Sequence, residues 1–152
     1  MKTIVINLPD RKDRLTSFNA NNPNLAYELF SAVEGYKIDY AKLLSQGFDT
    51  DHNWIDPLLN TPLTKGEVGC FLSHRHIWNK CIEKNEAILV LEDDAILTER
   101  FDIEEISQLP YDFVYLGWKE MEESEDSDGK MVKPVYPYWT LAYMIRPDLQ
   151  ES

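Results

Sequence analysis

Three consecutive carboxylates, Glu92-Asp93-Asp94, close the apolar run Ala87-Ile88-Leu89-Val90-Leu91. Carboxylate oxygens are hard ligands suited to Mg²⁺ or Mn²⁺, ions that take one or two protein carboxylates and complete their shell with water and substrate phosphates. The chemistry suggested is a divalent cation holding a phosphorylated small molecule; the plainer alternative is a solvated strand-to-loop junction. The densest basic patch is Arg11, Lys12 and Arg14. A guanidinium fork matches diphosphate oxygens, so Arg11 or Arg14 suits the same ligand, unless these residues only pair with neighbouring aspartates on an exposed first helical turn. His74 and Arg75 fall among apolar positions of one helical stretch. His74 reads either as a satisfied core histidine or as a site residue, and a buried Arg75 would need a carboxylate or several carbonyls, because an unpaired buried charge costs several kcal/mol.

These groups need elements that bring them to one place. An apolar run without alternation, Ala87 to Leu91, reads as a strand buried on both faces in a parallel α/β sheet, and Thr3 to Leu8 reads as a second. If the two run parallel, the acids and the basic turn after Pro9-Asp10 share the carboxyl edge, where open α/β sheets bind ligands. Strand alternation would point Glu92 and Asp94 together into that crevice and Asp93 back into the scaffold. A helix is expected from the basic turn to about Ala20, and a strand over Tyr27 to Val33 leading to a turn at Gly35. A short helix from Ile38 to Gln46 should end at Gly47. The stretch 48–63 has no period and reads as a long loop in which His52 and Trp54 are candidate lining residues or simple packing. Thr64-Lys65-Gly66-Glu67 is a capping box opening a helix to about Lys84. Its wide apolar arc includes Val68, Cys70, Phe71, Leu72, Ile77, Trp78, Cys81 and Ile82, opposite a polar face of Gly69, Ser73, His76, Lys80 and Glu83. Further on come a short helix from Phe101 to Leu109 capped by Asp102 and a strand over Asp112 to Gly117. An acidic surface loop, expected to be mobile, covers Glu120 to Lys130. Tyr136-Pro137-Tyr138-Trp139 would pack against a base, a sugar ring or the core, before a last strand from Thr140 to Ile145.

The 152 residues bound this to one α/β domain. A net charge of −12 repels nucleic acid backbones, so an anionic ligand needs a metal or a few placed cations. The apolar start is too short for a signal peptide and no run approaches a membrane span, which gives the expectation of a soluble cytoplasmic protein. Cys70 and Cys81 stand eleven positions apart on one expected helix, about 16 Å, beyond disulfide reach, and read as core thiols.

The order of these pieces resembles glycosyltransferase family 25, which includes bacterial lipooligosaccharide galactosyltransferases and collagen galactosyltransferases. The residues that carry the likeness are Ile6-Asn7-Leu8 with Arg11 and Arg14, Ser31-Ala32-Val33-Glu34-Gly35, the run from Thr64 through Gly66-Glu67-Val68-Gly69-Cys70 to Ser73-His74, Leu89-Val90-Leu91-Glu92-Asp93-Asp94, and Tyr115-Leu116-Gly117. The resemblance extends from about Thr3 to Ile145. It implies a GT-A-like, Rossmann-like mostly parallel sheet flanked by helices, a UDP-galactose donor and Mn²⁺ (or Mg²⁺) at the acid motif. It implies Asp94 as a direct metal ligand and Glu92 acting through water or on the ribose. Asn7, Leu8, Arg11, Arg14, Ser73, His74, Glu92 and Asp93 would border the donor. The acceptor would be a saccharide or a protein-borne glycan hydroxyl, as in lipopolysaccharide assembly, with the protein cytoplasmic or peripheral at the inner face of a membrane. Family members usually continue further, so residues 1–152 are read as one domain lacking the family's C-terminal portion. No general base is singled out among Asp112, Glu120 and Asp148. Two alternatives stand beside this reading. One is an inactive relative that binds a UDP-sugar or a protein partner. The other, a Mg²⁺-dependent phosphohydrolase or response-regulator-like domain, is disfavoured because Asn7-Leu8-Pro9, not an acid pair, follows the first strand.

Overall fold

The computed structural model describes residues 1–49, 51, 53–120, 125–126, 131–134 and 137–147, with the backbone alone at 118–120, 125–126 and 137–138. Its centre is a five-stranded sheet in the order β2-β1-β3-β7-β4. The strands are β1 (Lys2–Asn7), β2 (Glu28–Ser31), β3 (Ile88–Glu92), β4 (Phe113–Glu120) and β7 (Pro137–Ile145). A separate two-stranded piece is formed by β5 (Glu125–Asp126) and β6 (Val132–Lys133). β2, β1 and β3 pair in parallel, while β7 runs antiparallel between β3 and β4. Four strands therefore point one way, and the mostly parallel sheet expected from the sequence is present with one reversed strand, β7.

The apolar runs explain the central position of β1 and β3. Ile4, Val5, Leu89, Val90 and Leu91 are all fully buried. Ile4, Ile6, Ile88 and Val90 pack with Ile77 and Cys81 of helix α3 (Lys65–Lys84) on one face. Val5, Leu89 and Leu91 pack with Phe18 of helix α1 (Lys12–Asn21) on the other. The result is a three-layer α/β/α sandwich in which residues of opposite parity serve opposite helices. Two further helices, α2 (Tyr40–Ser45) and α4 (Ile103–Gln108), are short and capped by the side chains of Asp39 and Asp102. The first falls inside the expected 38–46 span and stops before Gly47, whose φ of 82° only glycine adopts freely.

α3 begins with the expected capping box: Thr64 Oγ1 accepts from the Glu67 amide and Glu67 Oε2 accepts from the Thr64 amide. Its faces differ from the expected arcs. Gly69 and Ser73, assigned to the polar face, are buried, whereas Phe71 and Ile82 are 49% and 56% exposed. The helix packs on two sides, against the sheet and against the segment leaving β2, and small residues are what the second contact requires. A Cβ on Gly69 would lie 2.5 Å from the Val33 carbonyl oxygen, and one on Gly35 would overlap the Lys65 carbonyl at 1.8 Å. Arg75 also departs from expectation. It is half-buried and lies with its guanidinium 3.9 Å from the centre of the Phe48 ring, so an aromatic face and not a buried carboxylate receives it.

Candidate functional site

β1 leads into β2 on one side and the chain then crosses to β3 on the other, so the connections diverge between β1 and β3. Such a switch point opens a crevice at the carboxyl ends of the strands. Asn7 ends β1 and Glu92 ends β3 at this edge. A cavity of about 460 Å³ opens there, within the usual range of small-molecule sites. Its walls include Asn7, Leu8, Arg11, Arg14, Ser73, His74, Glu92 and Asp93, every residue expected to border the donor. Asp94 is not among its lining residues.

The acid motif straddles the sheet. Glu92 follows the parity of Ile88 and Val90 and faces α3; Asp93 follows Leu89 and Leu91 and faces α1. Asp93 is buried, with Oδ2 accepting from Asn7 Nδ2 at 2.7 Å and Oδ1 contacting Arg14 Nη2 at 2.6 Å. The same Arg14 nitrogen lies 2.6 Å from Asp94 Oδ2. The expectation that Glu92 and Asp94 face the crevice together is thus corrected: β3 ends at Glu92, and a turn closed by the Ala95 amide on the Glu92 carbonyl interrupts the two-residue period. Asp94 goes with Asp93 to Arg14. Arg11 takes the plainer course, its guanidinium forked onto Asp13 at 2.9 and 3.0 Å.

On the α3 side Glu92 Oε1 accepts from Thr140 Oγ1 at 3.1 Å and lies 3.3 Å from His74 Nε2. Burial pushes the Glu92 carboxyl up, but the His74 and Thr140 contacts and the Arg14 charge outweigh it and leave it below the usual carboxylate range. Asp93 moves the other way, because burial, joined by the Asp94 and Glu92 charges, outweighs Asn7 and Arg14 and raises it. Ser73 builds the wall: its hydroxyl donates to the Gly69 carbonyl and accepts from the Val33 amide, both at 2.8 Å.

Among the described residues, the set of three ligating side chains whose atoms all lie within 4.8 Å of one another is Cys70, His74 and Glu92; the three consecutive acids do not converge in that way. Cys70, expected in the core, is instead exposed at the cavity wall, while Cys81 is buried as expected. The protein packed around the Cys70 thiol, with the Glu92 and Glu67 carboxylates, pushes it up to about 12, so it is a neutral thiol.

Trp54 lies in the loop and is not among the lining residues, and His52 lies outside the described residues. The residues missed by sequence reasoning are Thr140, Tyr143 and Trp78, which surround His74, and the wall from Ala32 to Lys37. Trp78 carried a signal, standing one helical turn after His74, and Ala32 to Gly35 fall in a segment that carries the family likeness; the strand pairing that delivers Thr140 and Tyr143 is not local. Of the three acids weighed as a base, Asp112 stands at the start of β4, on the opposite edge of the sheet, where its carbonyl accepts from the Arg146 amide. Glu120 ends β4 on the cavity's edge, and Asp148 lies outside the described residues.

A family model described as glycosyltransferase family 25 (LPS biosynthesis protein) matches residues 1–136. The chain belongs to glycosyltransferase family 25. A family member from Aedes aegypti is 34% identical over 150 residues, covering 90% of this chain and 24% of that protein. Procollagen galactosyltransferase 1-B of Xenopus laevis is 34% identical, covering 95% and 26%. A probable inactive glycosyltransferase 25 family member 3 of Bos taurus is 33% identical, covering 90% and 25%. The chain spans about a quarter of the length of these relatives. The architecture is GT-A-like, a mixed α/β sheet flanked by helices. No described helix is long and apolar enough to cross a membrane.

Proposed function

We propose that this domain binds a nucleotide-sugar donor, UDP-galactose, and transfers its hexose to a saccharide or glycan hydroxyl. The observation that carries the reading is the cavity at the β1/β3 switch point, where Arg14 and the acid motif of β3 meet beside Asn7 and the wall from Ala32 to Lys37. A guanidinium and a divalent cation are what an acidic chain needs to hold an acidic donor.

In this reading a hard cation would be held by Asp94, beside the Arg14 that lines the cavity. The Asp94 side chain is 56% exposed, one oxygen meets Arg14, and the other has no partner among the described residues. Glu92 Oε2 is likewise without a described partner and would act through water. Bound there, Mn²⁺ or Mg²⁺ would neutralise charge on the two phosphates as UDP departs. The protein's own part is to orient. Asn7 and Arg14 fix Asp93, Thr140 and His74 fix Glu92, and Ser73 fixes the wall, so the donor meets a preformed site. An acceptor oxygen would then attack the anomeric carbon opposite the leaving UDP, giving inversion. Two free cysteines suit a reducing compartment, and we place the reaction in the cytoplasm, at or near a membrane where glycans are assembled.

One finding favours a second reading, a donor-binding domain without turnover: an inactive family member is as similar to this chain as the procollagen galactosyltransferases are. Release of UDP from UDP-galactose with Mn²⁺, alone and with saccharide acceptors, separates the two. Acceptor-dependent release is expected; UDP binding without release would leave only the second reading.

A further inference from the structure

The hydrogen bonds around His74 fix where its hydrogen resides. Trp78 Nε1 donates to Tyr143 Oη at 2.8 Å, and an indole nitrogen only donates. Tyr143 Oη therefore accepts from Trp78, and its own hydrogen needs an acceptor. Tyr143 is fully buried, and the other polar atom within hydrogen-bond distance of Oη among the described residues is His74 Nδ1, at 2.8 Å. A hydrogen on Nδ1 would point at that of the phenol and leave a buried donor unpaired. Nδ1 is thus the acceptor, and the neutral ring carries its hydrogen on Nε2. That nitrogen faces Thr140 Oγ1 at 3.1 Å and Glu92 Oε1 at 3.3 Å, while the Thr140 hydroxyl donates to the same Oε1.

We infer that Trp78 and Tyr143, neither of which lines the cavity, are positioning residues that lock His74 as an Nε2–H donor and so hold Glu92 with Oε1 filled and Oε2 offered to the ligand. The Cys70, His74 and Glu92 group is then no three-ligand metal centre, because the imidazole nitrogen turned toward it already carries a hydrogen. Tyr143 and Thr140 lie beyond the residues that the family model matches, so the lock is completed by a part of the chain outside that match. That Oε2 serves a ligand rests on the proposed donor site; the hydrogen assignment does not.

The test is long-range ¹H–¹⁵N correlation of histidine-labelled protein at a pH where imidazoles are neutral, together with UDP titration in the presence of Mn²⁺. His76 is an internal standard: its Nδ1 faces the Leu72 carbonyl at 2.7 Å, which accepts only, so it must show the Nδ1–H pattern. His74 is expected to show the opposite, Nε2–H. Tyr143→Phe should lose that pattern and weaken Mn²⁺-dependent UDP binding about tenfold, the usual scale for groups that orient a ligand's ligand. Ile145→Val, a core truncation in the same strand, should change neither, which separates positioning from lost stability. An Nδ1–H pattern for His74 in the parent, or a Tyr143→Phe protein with the parent's pattern and affinity, would overturn the inference. A parent that shows Nε2–H yet binds no UDP sinks the donor reading and leaves the hydrogen assignment standing.

Discussion

Asp94 and Asp93 are adjacent and share one guanidinium, yet they stand in opposite situations. Asp93 is 7% exposed and has both oxygens engaged, whereas Asp94 is 56% exposed with one oxygen without a described partner. Removing an exposed carboxylate costs little stability, since surface ion pairs contribute about 0–1 kcal/mol. Asp94→Ala is therefore expected to keep the parent's melting temperature within a few degrees while losing Mn²⁺-dependent UDP binding, measured by calorimetric titration. Unchanged affinity would remove Asp94 from the metal site. At this scale the sequence revealed residue types well and their partners poorly. Arg14 and Glu92 drew notice by types that suit a phosphorylated ligand or its cation, Asn7 and His74 by the resemblance to a known family, and all four line the cavity. That Arg14 reaches Asp94, or that Thr140 reaches Glu92, depends on side chains separated by 80 and 48 positions, which no local pattern encodes.

Helix α3 illustrates what patterning can and cannot deliver for an element. Its start was legible because a capping box is local chemistry within four residues. The burial of Gly69 and Ser73 was not, because a hydropathy arc counts apolar surface and these two positions are chosen for closeness. The Val33 carbonyl and the Gly35 backbone lie where a Gly69 side chain would stand. Neither is the end of a flexible group, so Gly69→Ala must displace the wall of the cavity. We expect a loss of about 1–3 kcal/mol, the range for overpacking a tight contact, seen as a lower urea midpoint. UDP affinity should fall with it. A variant as stable as the parent would mean that the helix and the 32–37 segment can separate at no cost. Strand β3 gives the complementary case: Glu92, its last residue, keeps the alternation and faces α3, while Asp93 and Asp94 lie beyond the strand's end and both turn to Arg14, so that Asp93 lines the cavity with Glu92 instead of pointing back into the scaffold.

For the molecule as a whole, charge and topology pose one problem and solve it in one place. A chain of net charge −12 collects cations at the carboxyl edge of its sheet, where Arg11, Arg14 and Lys37 line the cavity. The α/β class followed from two buried apolar runs, but the antiparallel entry of β7 did not, since strand direction is set by non-local pairing. That reversed strand brings its amino-terminal half to the carboxyl edge of β3 and so supplies Thr140 to Glu92. The central claim is that this edge holds a UDP-sugar together with a divalent cation. Calorimetric titration of UDP into the protein with and without Mn²⁺ tests it most directly. We predict saturable, Mn²⁺-dependent heat with one site per chain and a matching rise in melting temperature; no heat and no rise at millimolar UDP and Mn²⁺ would contradict it.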